Sequence, residues 1–186
     1  LRAASATSLA LSEDGQDRLF ADIDRYADDI VLRPADVSND PALIDRFGVI
    51  SVNSALEVDI YGHANSTHVD GTRIVNGIGG SGDFNRHSPL AITALPSTAK
   101  DGSISRVVPM VPHVDHTEHD VDVIVTEQGA ADLRGRSPRE RADLLIDEAA
   151  HPDYRATLRD YVDTTASGSG HIRHDLERAF SIYGDR

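Results

Sequence analysis

The stretch Asn76-Gly77-Ile78-Gly79-Gly80-Ser81-Gly82-Asp83-Phe84 places four glycines within six residues. Without Cβ atoms, a backbone of this kind can approach a ligand closely and aim N–H groups at an anion or a developing oxyanion. Gly77, Gly79 and Gly82 also satisfy the GxGxxG spacing of a dinucleotide fingerprint, behind a strand-like Arg73–Val75. That fingerprint needs a helix opening directly after the loop and an acidic residue about 20 positions on. Pro89 follows so soon that no room for a regular helix is expected, and Asp101, at the acidic spacing, sits in a Lys-Asp-Gly turn. A loop that lets a ligand come close is the reading preferred to a dehydrogenase; a plain tight turn is the bland alternative.

Three other sets of residues invite chemistry. Lys100 is the single lysine among 18 basic residues and lies in the turn Ser97-Thr98-Ala99-Lys100-Asp101-Gly102. A compact ammonium suits a phosphate or a polar nucleotide edge, whereas an ordinary solvated lysine is the competing reading. Glu127 follows the apolar run Val121–Thr126. Ligands of open α/β sheets collect at the carboxyl ends of strands, where this glutamate should emerge; capping a helix that starts near Ala130 is its alternative role. His113, His116 and His119, with Asp115, Glu118 and Asp120 between them, have the look of a metal motif. Three-residue steps align ligands only on a helix, and Pro109 and Pro112 argue for a loop, so a polar loop lining or supporting a cleft is expected and no metal. His63, His68 and His87 read as loop residues. No GxSxG elbow is present, and with no cysteine in the chain there is no thiolate chemistry.

These residues need elements to hold them. Leu19, Phe20, Ile23, Tyr26, Ala27 and Ile30 predict one helix over Glu13–Ile30 capped by Ser12. A short helix is expected over Pro41–Phe47, with Asp40 as cap and Gly48 as terminator. Alternation then predicts a strand within Val49–Tyr61, its Asn53, Glu57 and Asp59 opposite the large aliphatics and mostly facing solvent or anchoring turns. Further strands are expected at Arg73–Val75, Leu90–Leu95, Ile104–Met110 and Val121–Thr126. Ser137-Pro138-Arg139-Glu140 is a capping box that should open a helix running to about Ala150. His151-Pro152 breaks it, and a second helix carries Tyr154, Leu158, Tyr161 and Val162. The resulting fold class is α/β, a mixed open sheet flanked by helices. The division expected is a main domain over 1–166, a flexible joint at 167–170 and a C-terminal helix over 171–186 that packs back through Ile172, Leu176, Ala179, Phe180 and Tyr183.

The 186 residues are 39% hydrophobic, enough for one core, and carry a formal net charge of −13. That charge argues against nucleic acids and anionic membrane surfaces as partners. No run approaches the apolar length of a membrane span, and no signal peptide is read at the start, which lacks an initiator Met and looks like part of a longer polypeptide. The acidic, arginine-rich composition suits a salt-adapted cytoplasm, or a genome favouring Arg and Asp codons.

Several multi-residue motifs resemble one family in register: Ser51–Gly62 (SVNSALEVDIYG), Asn65–Thr72 (NSTHVDGT), Asn76–Phe84 (NGIGGSGDF), Val108–Val121 (VPMVPHVDHTEHDV), Val125–Gly135 (VTEQGAADLRG) and Ala150–Arg155 (AHPDYR). The chain is similar to the C-terminal domain of acetyl-CoA hydrolases/transferases over nearly its whole length. The resemblance implies a CoA-transferase-like fold, and an enzyme that moves coenzyme A between an acyl-CoA and a small carboxylate such as acetate, succinate or propionate, or hydrolyses the thioester. It implies a glutamyl-CoA intermediate on a glutamate upstream of the Ala4–Leu9 stretch. The chain alone is then expected to bind part of coenzyme A without turnover, as a domain, module or subunit that needs its N-terminal half. Carried over residue by residue, Gly80 is implied to serve the thioester carbonyl, Asn39 to sit near the reaction centre, and Glu127 to face the site as a second carboxylate, whose pKa would be raised beside an anionic glutamyl intermediate. Asn76, Gly79, Gly80 and Lys100 are implied to contact coenzyme A. Coenzyme A enters as substrate, with no tightly bound cofactor, and the resemblance implies a homo-oligomer.

Overall fold

A computed structural model describes residues 4–166 and 169–183 of the chain. Strand β1 (Ala4–Ala6) pairs in parallel with β2 (Ile30–Leu32), and between them lie α1 (Glu13–Ala21) and α2 (Ile23–Asp29). The Ser12 hydroxyl accepts from Gly15 N–H, as its capping role requires. The single helix expected over Glu13–Ile30 breaks at Asp22, whose ψ of 43° leaves the helical basin, and Ile30 joins a strand instead. Neither helix buries a residue, so no packed face holds the two in one line. After α3 (Ala35–Ser38) comes α4 (Pro41–Phe47), built by local rules: Asp40 accepts from Leu43 N–H at 2.9 Å, Pro41 sits in the first turn, and Gly48 ends the helix at φ 61°.

The alternating segment is two strands. β3 (Ile50–Ser54) and β4 (Glu57–Asp59) enter different sheets. β5 (Ala64–Asn65), β6 (His68–Val69) and β7 (Arg73–Ile74) follow, and then α5 (Ser81–His87). This helix corrects the expectation that Pro89 leaves no room for one. Seven residues fit before Ser88, which is extended as a residue preceding proline must be. β8 (Leu90–Ala94), β9 (Thr98–Ala99), β10 (Ile104–Ser105), β11 (Val107–Val108), β12 (Val123–Thr126) and β13 (Gly129–Asp132) complete the strands. No helix starts near Ala130: Ala130 and Ala131 lie in β13, paired antiparallel to β12.

The main sheet has the order β13-β12-β8-β3, with β3, β8 and β12 parallel. A second sheet, β11-β4-β5, is joined through Ala64 to His116 by an isolated bridge. The capping box at Ser137 opens α6 (Pro138–Leu144), which passes into a π-helical turn over Leu145–Ala149 before His151 and Pro152 start α7 (Pro152–Thr165). Val58, Ile60, Val107, Ile124, Leu133, Leu145, Ile146 and Leu158 form the fully buried core between these layers.

Residues Ser167 and Gly168 of the expected joint lie outside the described residues, as do 184–186. The segment 171–183 is turns ending in a 3-10 turn at Ser181–Tyr183, where a helix was expected. It packs back through Ile172 and Ala179, which reach the core, and through polar anchors, without a helical stripe. Tyr61 Oη donates to Arg173 O at 2.5 Å, Asp175 N–H donates to Tyr161 Oη at 3.1 Å, and Ala179 is fully buried while Leu176 faces out.

The main sheet is covered unevenly. Ser51, Ala91, Thr93 and Ile124 share its buried face. On the other face Ile50 and Val52 are 60% and 67% exposed, in register with the half-buried Leu90, Ile92 and Val123. In β3 Ser51 and Asn53 therefore point in, and Ile50 and Val52 point out. Asn53 donates to Asn85 Oδ1 at 2.7 Å, while the buried Asp59 of β4 anchors the turn to His63.

Candidate functional site

The glycine loop runs from β7 into α5. Gly79 sits at φ 59°, a left-handed conformation that penalises any side chain. Gly80 caps α5 at φ −89°, and its carbonyl accepts from Phe84 N–H at 3.1 Å. Its own N–H has no acceptor among the described residues. Facing it is Asn39, at the end of α3. Ser38 Oγ donates to Asn39 Oδ1 at 2.8 Å, which orients the amide and leaves Nδ2 turned toward Gly80. A Cβ built on Gly80 would collide with that nitrogen, so any side chain there would push the Asn39 amide out of place. Asn39 Nδ2 and the Gly80 backbone thus lie side by side at the rim of a cleft of about 590 Å³ lined by Thr7, Asp36, Asn39, Gly79, Gly80 and Asp83. Such a pair suits an oxygen that gains negative charge.

Lys100 stands elsewhere, in a separate groove of about 300 Å³ with Leu56, Glu57, His68, Arg73 and Arg106. It occupies the left-handed region at φ 47°, next to Asp101 at φ 55° and Gly102 at φ 90°, in the turn between β9 and β10. Lys100, Arg73 and Arg106 share this lining with the carboxylates Glu57 and Asp70 and with the apolar Leu56, Val69 and Ile104, a mixture that gives a phosphorylated ligand both cations and apolar surface. Asn76 lines neither space; its Nδ2 donates to Ser66 O at 3.2 Å, fastening the loop to the turn before β6.

Glu127 emerges at the carboxyl end of β12, as expected of an open sheet. It lines neither the cleft nor the groove. Its carboxylate accepts from Ser97 N–H at 2.8 Å, from Ser97 Oγ in a short bond, and from Gln128 Nε2 at 3.0 Å. Ser97 is buried just beyond β8, so the glutamate ties together the ends of two parallel strands. Burial pushes its pKa up, but the Ser97 hydroxyl and N–H outweigh that and hold it at about 2. In the chain by itself, hydrogen bonds to the charged form therefore win. The hairpin carrying Glu127 rests on the π-helical turn. Thr126 Oγ1 donates to Ala149 O at 2.8 Å, and Gly129 lies so close to Glu148 O that a Cβ would sit 2.8 Å from it.

The histidine-rich loop sends its imidazoles to different partners. His113 stacks on His68 with centroids 3.8 Å apart, and its Nε2 meets Asp115 at 3.2 Å. His119 meets Glu118 at 3.2 Å, and His116 turns inward to Ser81 Oγ at 2.9 Å. Among the described residues no group of three or more His, Asp or Glu side chains is placed to hold a metal ion. Sequence reasoning did not reach Thr7, Asp36 or Asp83 as cleft residues, nor the Ser81–His116 pair, since contacts across tens of residues leave no periodic trace.

A family model described as acetyl-CoA hydrolase/transferase C-terminal domain matches residues 15–162. The propanoyl-CoA:succinate CoA transferase of Escherichia coli K12 is 54% identical over 97% of this chain and 36% of its own length. The acetyl-CoA hydrolase of Candida glabrata is 50% identical, again over 97% of this chain and 36% of its own. In three dimensions, the 4-hydroxybutyrate CoA-transferase of Porphyromonas gingivalis aligns with a TM-score of 0.64 at 32% identity, covering 87% of this chain and 37% of that one. The chain thus spans about a third of the length of the curated relatives it matches. It belongs to the acetyl-CoA hydrolase/transferase family, as a C-terminal domain of that family.

Proposed function

We propose that the chain supplies the coenzyme-A-facing half of an enzyme that transfers coenzyme A between an acyl-CoA and a small carboxylate, or hydrolyses the acyl-CoA. The observation that carries the reading is that the Asn39 amide lies against the Gly80 backbone, whose N–H has no acceptor among the described residues, on the lining of one cleft. In this reading a glutamate of the upstream region attacks the thioester carbonyl, whose oxygen takes up negative charge against these two donors. Coenzyme A leaves as thiolate and the acyl group is held as an anhydride with the glutamate. The thiolate then attacks the glutamyl carbonyl, expelling the acyl carboxylate and giving the glutamyl-CoA thioester. An incoming carboxylate reverses these steps, while water would release coenzyme A irreversibly.

Lys100, Arg73 and Arg106 take the phosphates of the coenzyme in their groove. Asn76 fixes the loop between groove and cleft, and Glu127, ionised and held by Ser97, meets the acceptor side of the completed site. The upstream region covers the bare face of the main sheet around Ile50 and Val52. The family resemblance carries with it a cytoplasmic, self-associating protein. Among the described residues no helix is long and apolar enough to cross a membrane.

The test is consumption of acetyl- or succinyl-CoA with a carboxylate acceptor, for the chain alone and with the upstream region added. No turnover alone and turnover with both parts is expected, and Asn39→Ala in the two-part enzyme should lower kcat by roughly 10²-fold. Turnover by the chain alone would move the nucleophile to a carboxylate here, Glu127 first. Coenzyme A binding with no turnover in either case would make the chain a non-catalytic binding module.

A further inference from the structure

Ser81 follows Gly80 directly and begins α5, and its hydroxyl sits between two partners. Oγ lies 2.8 Å from Ile78 O and 2.9 Å from His116 Nε2. His116 belongs to the loop over 112–120, is 2% exposed, and is fixed at its backbone by two hydrogen bonds with Ala64, N–H to O and O to N–H. Its ring also packs on the loop, since a Cβ built on Gly82 would lie 4.0 Å from His116 Cε1.

Proton accounting fixes the direction of the chain of bonds. Ser81 has one hydrogen, and Ile78 O can only accept, so the hydroxyl donates there and accepts from the imidazole. His116 is thus the Nε2–H tautomer. Its buried Nδ1 has no partner among the described residues, which a bare lone pair tolerates far better than an unpaired N–H would. Burial pushes the His116 pKa down, against the pull of Asp115 and Asp120, so the ring stays neutral and keeps this tautomer. The result is a rigid strut: the β5-anchored backbone, imidazole, serine hydroxyl, then the carbonyl that opens the glycine turn.

Resting on the function proposed above, we infer that the His116–Ser81 pair is a positioning device that sets the direction of the Gly80 N–H toward the reacting carbonyl. Neither side chain lines the cleft itself. The strut spans Ile78 to Ser81 and so brackets Gly79 and Gly80, the two residues with least conformational restraint of their own. A displaced donor costs rate in proportion to its misalignment with the transition state, and leaves ground-state binding of the coenzyme largely alone.

The experiment is a set of four variants of the two-part enzyme, Ser81→Ala, His116→Phe, His116→Gln and the Ser81→Ala/His116→Phe double, each with thermal melting alongside kinetics. Ser81→Ala and His116→Phe should each lower kcat by about tenfold with the acyl-CoA KM within about twofold. The double should be no worse than Ser81→Ala alone, because that single change already removes both bonds of the strut. His116→Gln, whose amide nitrogen reproduces the Nε2–H donor, should recover most of the rate. If His116→Phe fails to fold, Ser81→Ala against His116→Gln still decides the matter. Unchanged kcat in Ser81→Ala, additive singles, or a His116→Gln enzyme as slow as Ser81→Ala would overturn the inference. Absence of wild-type turnover, or full activity in Asn39→Ala, would instead overturn the functional reading beneath it.

Discussion

Glu127 is exposed, yet its carboxylate takes three hydrogen bonds, two of them from the buried Ser97. The folded pKa of about 2 lies below the usual 4.5. The sign of the linkage follows: the contact contributes fully above the ordinary value and is lost as pH falls from about 4.5 toward 2. Removing the hydroxyl should move the titration up. In Ser97→Ala, the Glu127 side-chain carboxyl followed by carbon NMR should titrate well above its wild-type midpoint, and an unmoved midpoint would mean the tie is absent in solution. In the two-part enzyme, Glu127→Ala should cut turnover by about 10²-fold, and the chain should still fold with its melting temperature lowered by the loss of the Ser97 tie. At this scale the sequence marked Glu127 as a strand-end carboxylate but could not reveal its charge state, because the serine that decides it lies 30 residues upstream. Asn39 is similar: nothing in its surroundings in sequence pointed to Gly80, and the family resemblance implied only a place near the reaction centre.

Elements built by local rules were legible, and those decided by tertiary contact were not. The caps at Asp40 and Ser137 and the stop at Gly48 each act within four residues, and α4 and α6 start or end where those residues say. The break at Asp22, the passage of β3 and β4 into separate sheets, and α5 before Pro89 depend on what each segment packs against. The junction of β4 with the histidine-rich loop is of the second kind. His63 places Nδ1 2.9 Å from Asp59 and Nε2 2.8 Å from Glu118, so both nitrogens must carry protons to satisfy both carboxylates. Burial pushes its pKa down, but the Asp59 hydrogen bond and the two charges prevail and raise it above 6.5. Stability from this clamp is therefore complete below about pH 6.5 and is lost as pH rises through the folded value. Denaturant midpoints of the wild type should fall between pH 6 and 9, and His63→Gln should flatten that slope while lowering the midpoint at pH 6. Parallel slopes in the two proteins would rule the clamp out.

At the scale of the whole molecule, the main sheet poses a question that composition could not. Parallel strands are ordinarily covered on both faces, because their backbones and aliphatic side chains have no other way to leave water. Here one face meets the core, while the other presents Ile50, Val52, Leu90, Ile92 and Val123 around the edge strand β3, with Phe47 exposed nearby. The alternation in Ile50–Ser54 was readable as a strand, but not which of its faces is inside, since the face that looks like a core face is bare. A net charge of −13 would keep such a surface from self-aggregation without covering it. The chain spans about a third of its curated relatives, and the proposal that upstream sequence covers this face has a sharp consequence. Val52→Asp should change the stability of the chain by no more than about 0.5 kcal/mol, as an exposed substitution does. The same change should abolish association with the upstream region, and turnover with it, because a carboxylate buried without a partner costs far more than the contact gains. Val58→Asp, in the fully buried core, is the contrast and should unfold the chain outright. Pull-down of the upstream region with each variant, beside thermal melting of the chain alone, separates the cases. Intact association in Val52→Asp would leave the bare face to some other occupant, and loss of folding there would mean that the face is already part of this domain's own core.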